Sequence, residues 1–438
     1  MEKRSFIKTA LVLMTSTVLT GTVFAAGPIS WWYETATPEQ QGLITKNIVD
    51  PFNAAHPEDT LTIDYRGAQL DNQMRVALLS GSGPDLVYTA GPSYVAPMAQ
   101  AGQLLPLDSY ATQFGWDKRI LPVFVEMGKY NGQLYALPKT YETLGLFYNA
   151  TMFEEHGWKV PTTITELETV ADAMLAEKIV PFSSGNALWR PTNEHYVTLV
   201  LNSIAGPEAV YKALKGELPW TAEPFVKAID KLDEWWAKGY FGPNYFSLNG
   251  EQQVAQLATG QAGMMPSGTW QFQHINTYFP PANAEAGFVG FPSADDVGEP
   301  VFPLGVGSTF SVAASSQNPG GAAAVIDFIF SDETYSRMNT DWQGEWNTPL
   351  SDLSNIKLGE NVLPLYTQAM QTLAQSVAED EYGYTTWTFL PPATVSFLVS
   401  GIEEVWLDRS TTQQFLEQLD ATFKQEMAEG KVPAIPAR

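Results

Sequence analysis

Glu34, Asp85, Glu142 and Glu345 each stand beside aromatic or turn residues, and two well-placed carboxylates are all that glycosidic hydrolysis requires. The chain is so rich in acids, however, that neighbouring carboxylates are expected by chance. The regular β/α alternation of a barrel hydrolase is also missing. Metal chemistry fares worse. His56, His156, His195 and His274 show neither H-x-x-x-H nor H-E-x-x-H spacing, and each reads as a surface or structural residue. The chain has no cysteine, which removes thiol catalysis, disulfides and a lipid anchor built on cysteine. "GSGPDL" lacks the Lys-Ser/Thr of a phosphate loop, Gly305-Val306-Gly307 lacks the third glycine of a dinucleotide fingerprint, and no G-x-S-x-G elbow occurs. No catalytic residue, metal or cofactor is expected.

The aromatic residues make a more specific pattern. The 13 Trp, 18 Tyr and 23 Phe amount to 12% of the chain, and many must be core. Several tryptophans instead fall in polar, turn-rich stretches: "WWYETATPEQ", "NALWRPTNEH", "PSGTWQ", "WQGEWNTP" and "YGYTTWTF". Flat apolar faces beside polar groups suit a ligand that is itself amphipathic, and sugars are the commonest of these.

The elements that must position these residues read as alternating strands and helices. "PISWWY" is a strand, "PEQQGLITKNIVDPFNAAHP" a helix, "TLTIDY" a strand, "LDNQMRVALLSGSG" a helix and "PDLVYTA" a short buried strand. That order implies a parallel sheet with helices on its faces. Thr163-Ile164-Thr165-Glu166 and Thr411-Thr412-Gln413-Gln414 read as capping boxes, and Asn318-Pro319 as an N-cap with proline in the first turn. In "LATGQAGMMPSGTWQ", Gly260 ends a helix, "QAGMM" is a buried strand, and Pro266-Ser267-Gly268 is a turn that delivers Trp270. Asp85 belongs structurally to its strand start. No repeat, low-complexity tract or long Gly/Ser linker occurs, so two domains would have to share more than one chain crossing.

Lys3, Arg4 and Lys8 precede an uncharged, largely apolar run from Ala10 to Phe24, and Val23-Phe24-Ala25 offers a cleavage site. Residues 1–25 read as a signal peptide cleaved after Ala25, too short to span a membrane, which makes the mature chain exported and soluble. Setting aside those residues, with one acid and three bases, leaves 47 acids against 21 bases. Nucleic acid is an unsuitable partner for such a charge, and neutral or cationic ligands fit best.

Four blocks carry a family likeness: "SGSGPDLVY" (80–88), "GQLYALPKTYETLGLFYNATMFEEHGWKVPTTITEL" (132–167), "LATGQAGMMPSGTW" (257–270) and "PLGVGSTFSVAASSQNPGGAAAVIDFIFSDE" (303–333). In this order they resemble the exported solute-binding proteins of ABC importers, in the sugar-binding group typified by the maltose-binding protein. The resemblance implies the α/β, two-lobed periplasmic-binding-protein fold of type II kind, with three hinge crossings and the ligand in the cleft between the lobes. The crossings would fall near 139–141, 305–310 and 345–350. Lobe one would be 27–140 plus 309–345, and lobe two 141–308 plus 346–438. The implied activity is capture of a neutral mono- or oligosaccharide in the periplasm by a monomer, and its delivery to membrane permease subunits with a cytoplasmic ATPase. The alternatives are the same fold holding a polyol or a quaternary amine caged by aromatic rings, and a secreted glycoside hydrolase using Glu34 or Glu142.

The resemblance also assigns residues. Counting back from Tyr148-Asn149 puts Glu142 on a position whose carboxylate accepts sugar hydroxyls. Trp270 matches the tryptophan that stacks on a sugar ring. Trp32, Tyr33 and Glu34 match a ligand-facing segment. So does the loop holding Thr89, although Thr89 and Pro92 replace the Trp and Asp of the maltose-binding protein, which implies a different specificity. Trp189, Arg190, Trp346 and Trp387 fall where lobe two of the family offers aromatic and polar contacts.

Overall fold

The computed structural model describes residues 27–187, 192–300 and 302–437. The signal-peptide reading, Trp189 and Arg190 therefore lie outside the described residues. The first three strands form as their apolar pattern requires: β1 (Pro28–Tyr33) buries Ile29, Trp31 and Tyr33 on one face and pairs in parallel with β2 (Thr60–Tyr65) and β3 (Leu86–Thr89). Asp85 anchors the start of β3 by accepting hydrogen bonds from Ser30 and Ser316 at 2.7 Å, the structural role expected of it.

The remaining strands are β4 (Lys129–Tyr130), β5 (Gln133–Leu134), β6 (Leu137–Asn149), β7 (Val180–Phe182), β8 (Ala262–Gly268), β9 (Ala286–Val289), β10 (Phe302–Val312) and β11 (Tyr382–Tyr384). Apart from the β4–β5 ribbon they form one continuous path, β2-β1-β3-β10-β6-β8-β7, with β11 beside β10 and β9 beside β6. The parallel order seen in β1–β3 does not continue: β10 runs antiparallel to both β3 and β6.

Two long strands join the halves of this two-lobed α/β fold. The first half of β6 pairs with β10 at Leu137–Thr143, and the second half pairs with β8 and β9 from Leu144 onward. β10 in turn pairs with β11 at one end and β3 at the other. A third segment runs beside them: Tyr141 donates its N–H to the Asn347 carbonyl at 2.9 Å, and Thr140 accepts from the Asn347 N–H at 3.2 Å. All three segments meet at the cleft floor.

Helix ends follow their caps. The boxes at Thr163/Glu166 and Thr411/Gln414 and the Asn318 cap are all present, and Gly260 follows helix Gly250–Ala258 in the left-handed region, φ +73°. One expectation fails. Pro266-Ser267-Gly268 continues β8 and does not turn; the turn is Thr269–Gln271. On one side, β7 reaches only to the partner of Met264. Pro266 therefore stands where the strand is paired on a single side, and its missing N–H is tolerated.

Candidate functional site

The floor of the cleft is built around Lys139 on β6. This ammonium is fully buried, and it donates to Glu345 at 2.7 Å and to the Tyr33 hydroxyl at 3.4 Å. Trp346 lies 4.5 Å beneath it, with the Tyr33 and Tyr88 rings at 5.7 and 5.8 Å. A charge so desolvated requires both its counter-ion and the aromatic faces around it. Tyr88 also donates its hydroxyl to Glu34, just past β1.

Glu142, three residues along β6 from Lys139, is 6% exposed. Its carboxylate occupies the space above Gly307 on β10, where a Cβ would collide with it. The β6–β10 register shifts at this point, between Val306 and Ser308. The Trp387 ring closes the other side, and its indole N–H faces the Glu142 carboxylate without completing a regular hydrogen bond. Gly307→Ala is therefore expected to fold, because the end of a flexible side chain can move away. It should displace Glu142, and ligand titration should show an affinity loss of about tenfold, roughly one hydrogen bond.

Beside this floor stand two walls. Trp270 rises from the turn after β8, its ring folded back over Gly268, and remains partly exposed. Its centroid is 6.2 Å from that of Trp387, edge to face. His195 packs against both, at 5.0 and 5.6 Å. Next to it, Glu194 is 2% exposed and accepts from the Thr386 hydroxyl at 2.9 Å. On β1, Trp32 is half-buried, with the Arg66 guanidinium 3.8 Å over its ring.

Three assigned residues are placed differently from what direct ligand contact would need. Thr89 is fully buried, with its hydroxyl engaged by Thr309 at 2.6 Å and the Gly91 carbonyl at 3.1 Å. Trp346 is 1% exposed and lies flat on Tyr33, itself 1% exposed. These side chains hold the floor from below. The residue-by-residue reading missed Lys139, Tyr88, Glu194 and Gly307 as parts of the site, and it took His195 for a bystander.

Burial governs the protonation of these groups. It pushes Glu34 up to about 7 and Glu142 up to about 8, opposed by Lys139 and reinforced by Glu345; Glu194 also rises to about 8. It drives His195 down to about 3, leaving the ring neutral between the two tryptophans. Each glutamate thus binds its proton more tightly folded than unfolded, so its stabilising effect fades as pH rises from about 4.5 to 7–8. His195 acts oppositely: its contribution is complete above 6.5 and is lost as pH falls toward 3. Between pH 6.5 and 8 only the glutamates impose a slope. Denaturant unfolding of the ligand-free protein should show stability declining across that window, with a shallower decline in Glu142→Gln.

The family described as bacterial extracellular solute-binding protein matches residues 36–335, and the chain belongs to it. Among relatives, it is 25% identical over 252 residues to a maltotriose-binding protein of Pyrococcus abyssi, covering 57% of this chain and 51% of that one. It is 26% identical to the alpha-glucosides-binding periplasmic protein AglE of Rhizobium meliloti, covering 59% of each. The chain thus aligns with only about half the length of these curated relatives. Its fold matches a chitin oligosaccharide binding protein with a TM-score of 0.78 at 18% identity, over 92% of this chain and 99% of that one. The GacH receptor of Streptomyces glaucescens gives 0.73 at 18% identity, with the same coverage. Among the described residues, no helix is long and apolar enough to cross a membrane.

Proposed function

We propose that this protein captures a carbohydrate between its lobes and hands it to a membrane permease driven by a cytoplasmic ATPase. The observation that carries the reading is the pairing of two tryptophan walls, Trp270 and Trp387, with the buried acceptor Glu142 on the floor. Aromatic faces cover the apolar faces of a sugar ring while carboxylates accept its hydroxyls. The names of the relatives, binding proteins for maltotriose and alpha-glucosides, support the same ligand class. Glu34 and Trp32 complete the contact surface, together with Trp189 and Arg190 from the segment outside the described residues. Tyr33, Thr89 and Trp346 support it from beneath.

Lobe one comprises 27–140 plus 309–345 and lobe two 141–308 plus 346–438, with hinges where the three segments run side by side. Closure shields the ligand, and the difference in affinity between open and closed forms drives it. The protein is exported to the periplasm after cleavage at Ala25, carries no lipid and acts as a monomer without chemical turnover.

A thermal-shift panel of mono- and oligosaccharides, polyols and betaines tests this reading. A matching sugar at ~100-fold over Kd should contribute about 2.7 kcal/mol and raise the melting temperature by several degrees. A shift with a betaine and none with any carbohydrate would overturn it. Recovery of a chemically altered sugar after incubation would overturn the claim of binding without catalysis.

A further inference from the structure

The turn that carries Trp270 is held by hydrogen bonds that begin in a distant part of the chain. Gln273, in the first turn of the helix Phe272–Tyr278, donates its Nε2–H to the Trp270 carbonyl at 2.9 Å. Its other amide atom, Oε1, accepts from Gln40 Nε2 at 3.3 Å. Gln40 lies 233 residues away, in the helix Pro38–Ile44 that follows β1 and the Glu34 loop. The two helices follow strands that lie toward opposite ends of the sheet path: β1 stands next to the edge strand β2, and β8 next to the edge strand β7. In the lobe assignment proposed above they fall on different lobes.

The direction of each bond in this relay is set by the one before it. Gln40 is the third residue of a capping box: its Oε1 accepts from the Thr37 N–H at 2.9 Å, and its backbone N–H donates to Thr37 Oγ1. With the amide oxygen engaged there, the amide NH2 is the group left to face Gln273, and it can only donate. Gln273 must answer with its oxygen, which turns its own NH2 toward the Trp270 carbonyl. The same turn rests on Gly344, φ +91°, where a Cβ would collide with the Thr269 carbonyl. Seated on a glycine and tethered by an amide, the ring is preorganised, which spares the cost of ordering it on binding. We propose that Gln40 and Gln273 are positioning residues, a two-amide latch that ties the Trp270 turn to the helix after Glu34 and sets the stacking ring in place where the lobes meet. The latch rests on the sugar-binding reading for its purpose and on hydrogen-bond geometry for its existence.

Amide hydrogen exchange of the unliganded protein tests the latch without a ligand. Gln273→Met fills the same space with neither hydrogen bond. Gln40→Glu keeps the capping box, whose third residue is as well served by glutamate, but offers Gln273 no N–H. If the Gln273 amide turns round to meet the new carboxylate, it gives up the Trp270 carbonyl. Each variant should speed exchange across residues 269–278 by about fivefold, the weight of roughly one hydrogen bond, while residues 38–44 stay unchanged in Gln40→Glu. Unchanged exchange at 269–278 in both variants overturns the latch. Calorimetric titration with the sugars of the thermal-shift panel, maltotriose and diacetylchitobiose among them, tests its purpose. Gln273→Met should weaken binding by about fivefold, and should cost nothing further in a Trp270→Ala background, because the amide acts through that ring. An equal loss in both backgrounds overturns the positioning role. Binding of no sugar by the wild-type protein overturns the sugar reading and the purpose given to the latch, and the exchange result still decides whether the latch exists.

Discussion

Trp270→Ala should weaken ligand binding by about 2 kcal/mol or more, roughly 30-fold, the scale of an aromatic hot spot. The melting temperature of the unliganded protein should change much less. The ring stands in the turn after β8, folded over Gly268, and is partly exposed. Because the ring is partly exposed, its removal leaves less of a sealed cavity than a core deletion would, and the packing penalty is smaller. What is lost is the flat face a sugar ring would cover, and with it the support the ring shares with His195 and Trp387. Calorimetry paired with thermal unfolding separates the two effects. A large loss of stability with unchanged affinity would make Trp270 a core residue.

Lys139→Met should be the most destabilising single change in the site, at about 3 kcal/mol, the lower end for breaking a buried ion pair. The lower end applies because the Glu345 side chain keeps 22% exposure, so water can partly rescue it. Methionine fills the aromatic cage but leaves Glu345 without its cation. Urea unfolding measures the loss, and adding Glu345→Gln should recover much of it, because the double variant no longer buries an unpaired charge. If Lys139→Met unfolds at the wild-type urea concentration, the pair is dispensable and the account of the floor is wrong.

How much of this was legible in the sequence depended on the distance over which the information is spread. β1 to β3 and the capped helices are local patterns, and the alternation of "TLTIDY" and the Thr-x-x-Glu spacing at Thr163 were enough to read them. Pro266 misled because proline in a strand is admissible only at an unpaired side, and where β7 stops is a tertiary fact. The walls of the site were reached through family likeness, since nothing local distinguishes Trp270 from a core tryptophan. The Lys139 cage draws on β1, β3, β6 and residues 345–346, so no window of sequence contains it. Thr89 reads as a loop hydroxyl until Thr309, 220 residues away, is found to occupy it. Gly307 looked like a failed nucleotide motif. Its purpose is visible only when Glu142 is seen resting on it.

A crystal structure of the protein with a carbohydrate that raises its melting temperature tests the central claim most directly. The account predicts the sugar between the lobes, one ring face against Trp270, and a polar group of the ligand within hydrogen-bond reach of Glu142. A sugar bound elsewhere on the surface, with Trp270 and Glu142 untouched, would contradict it.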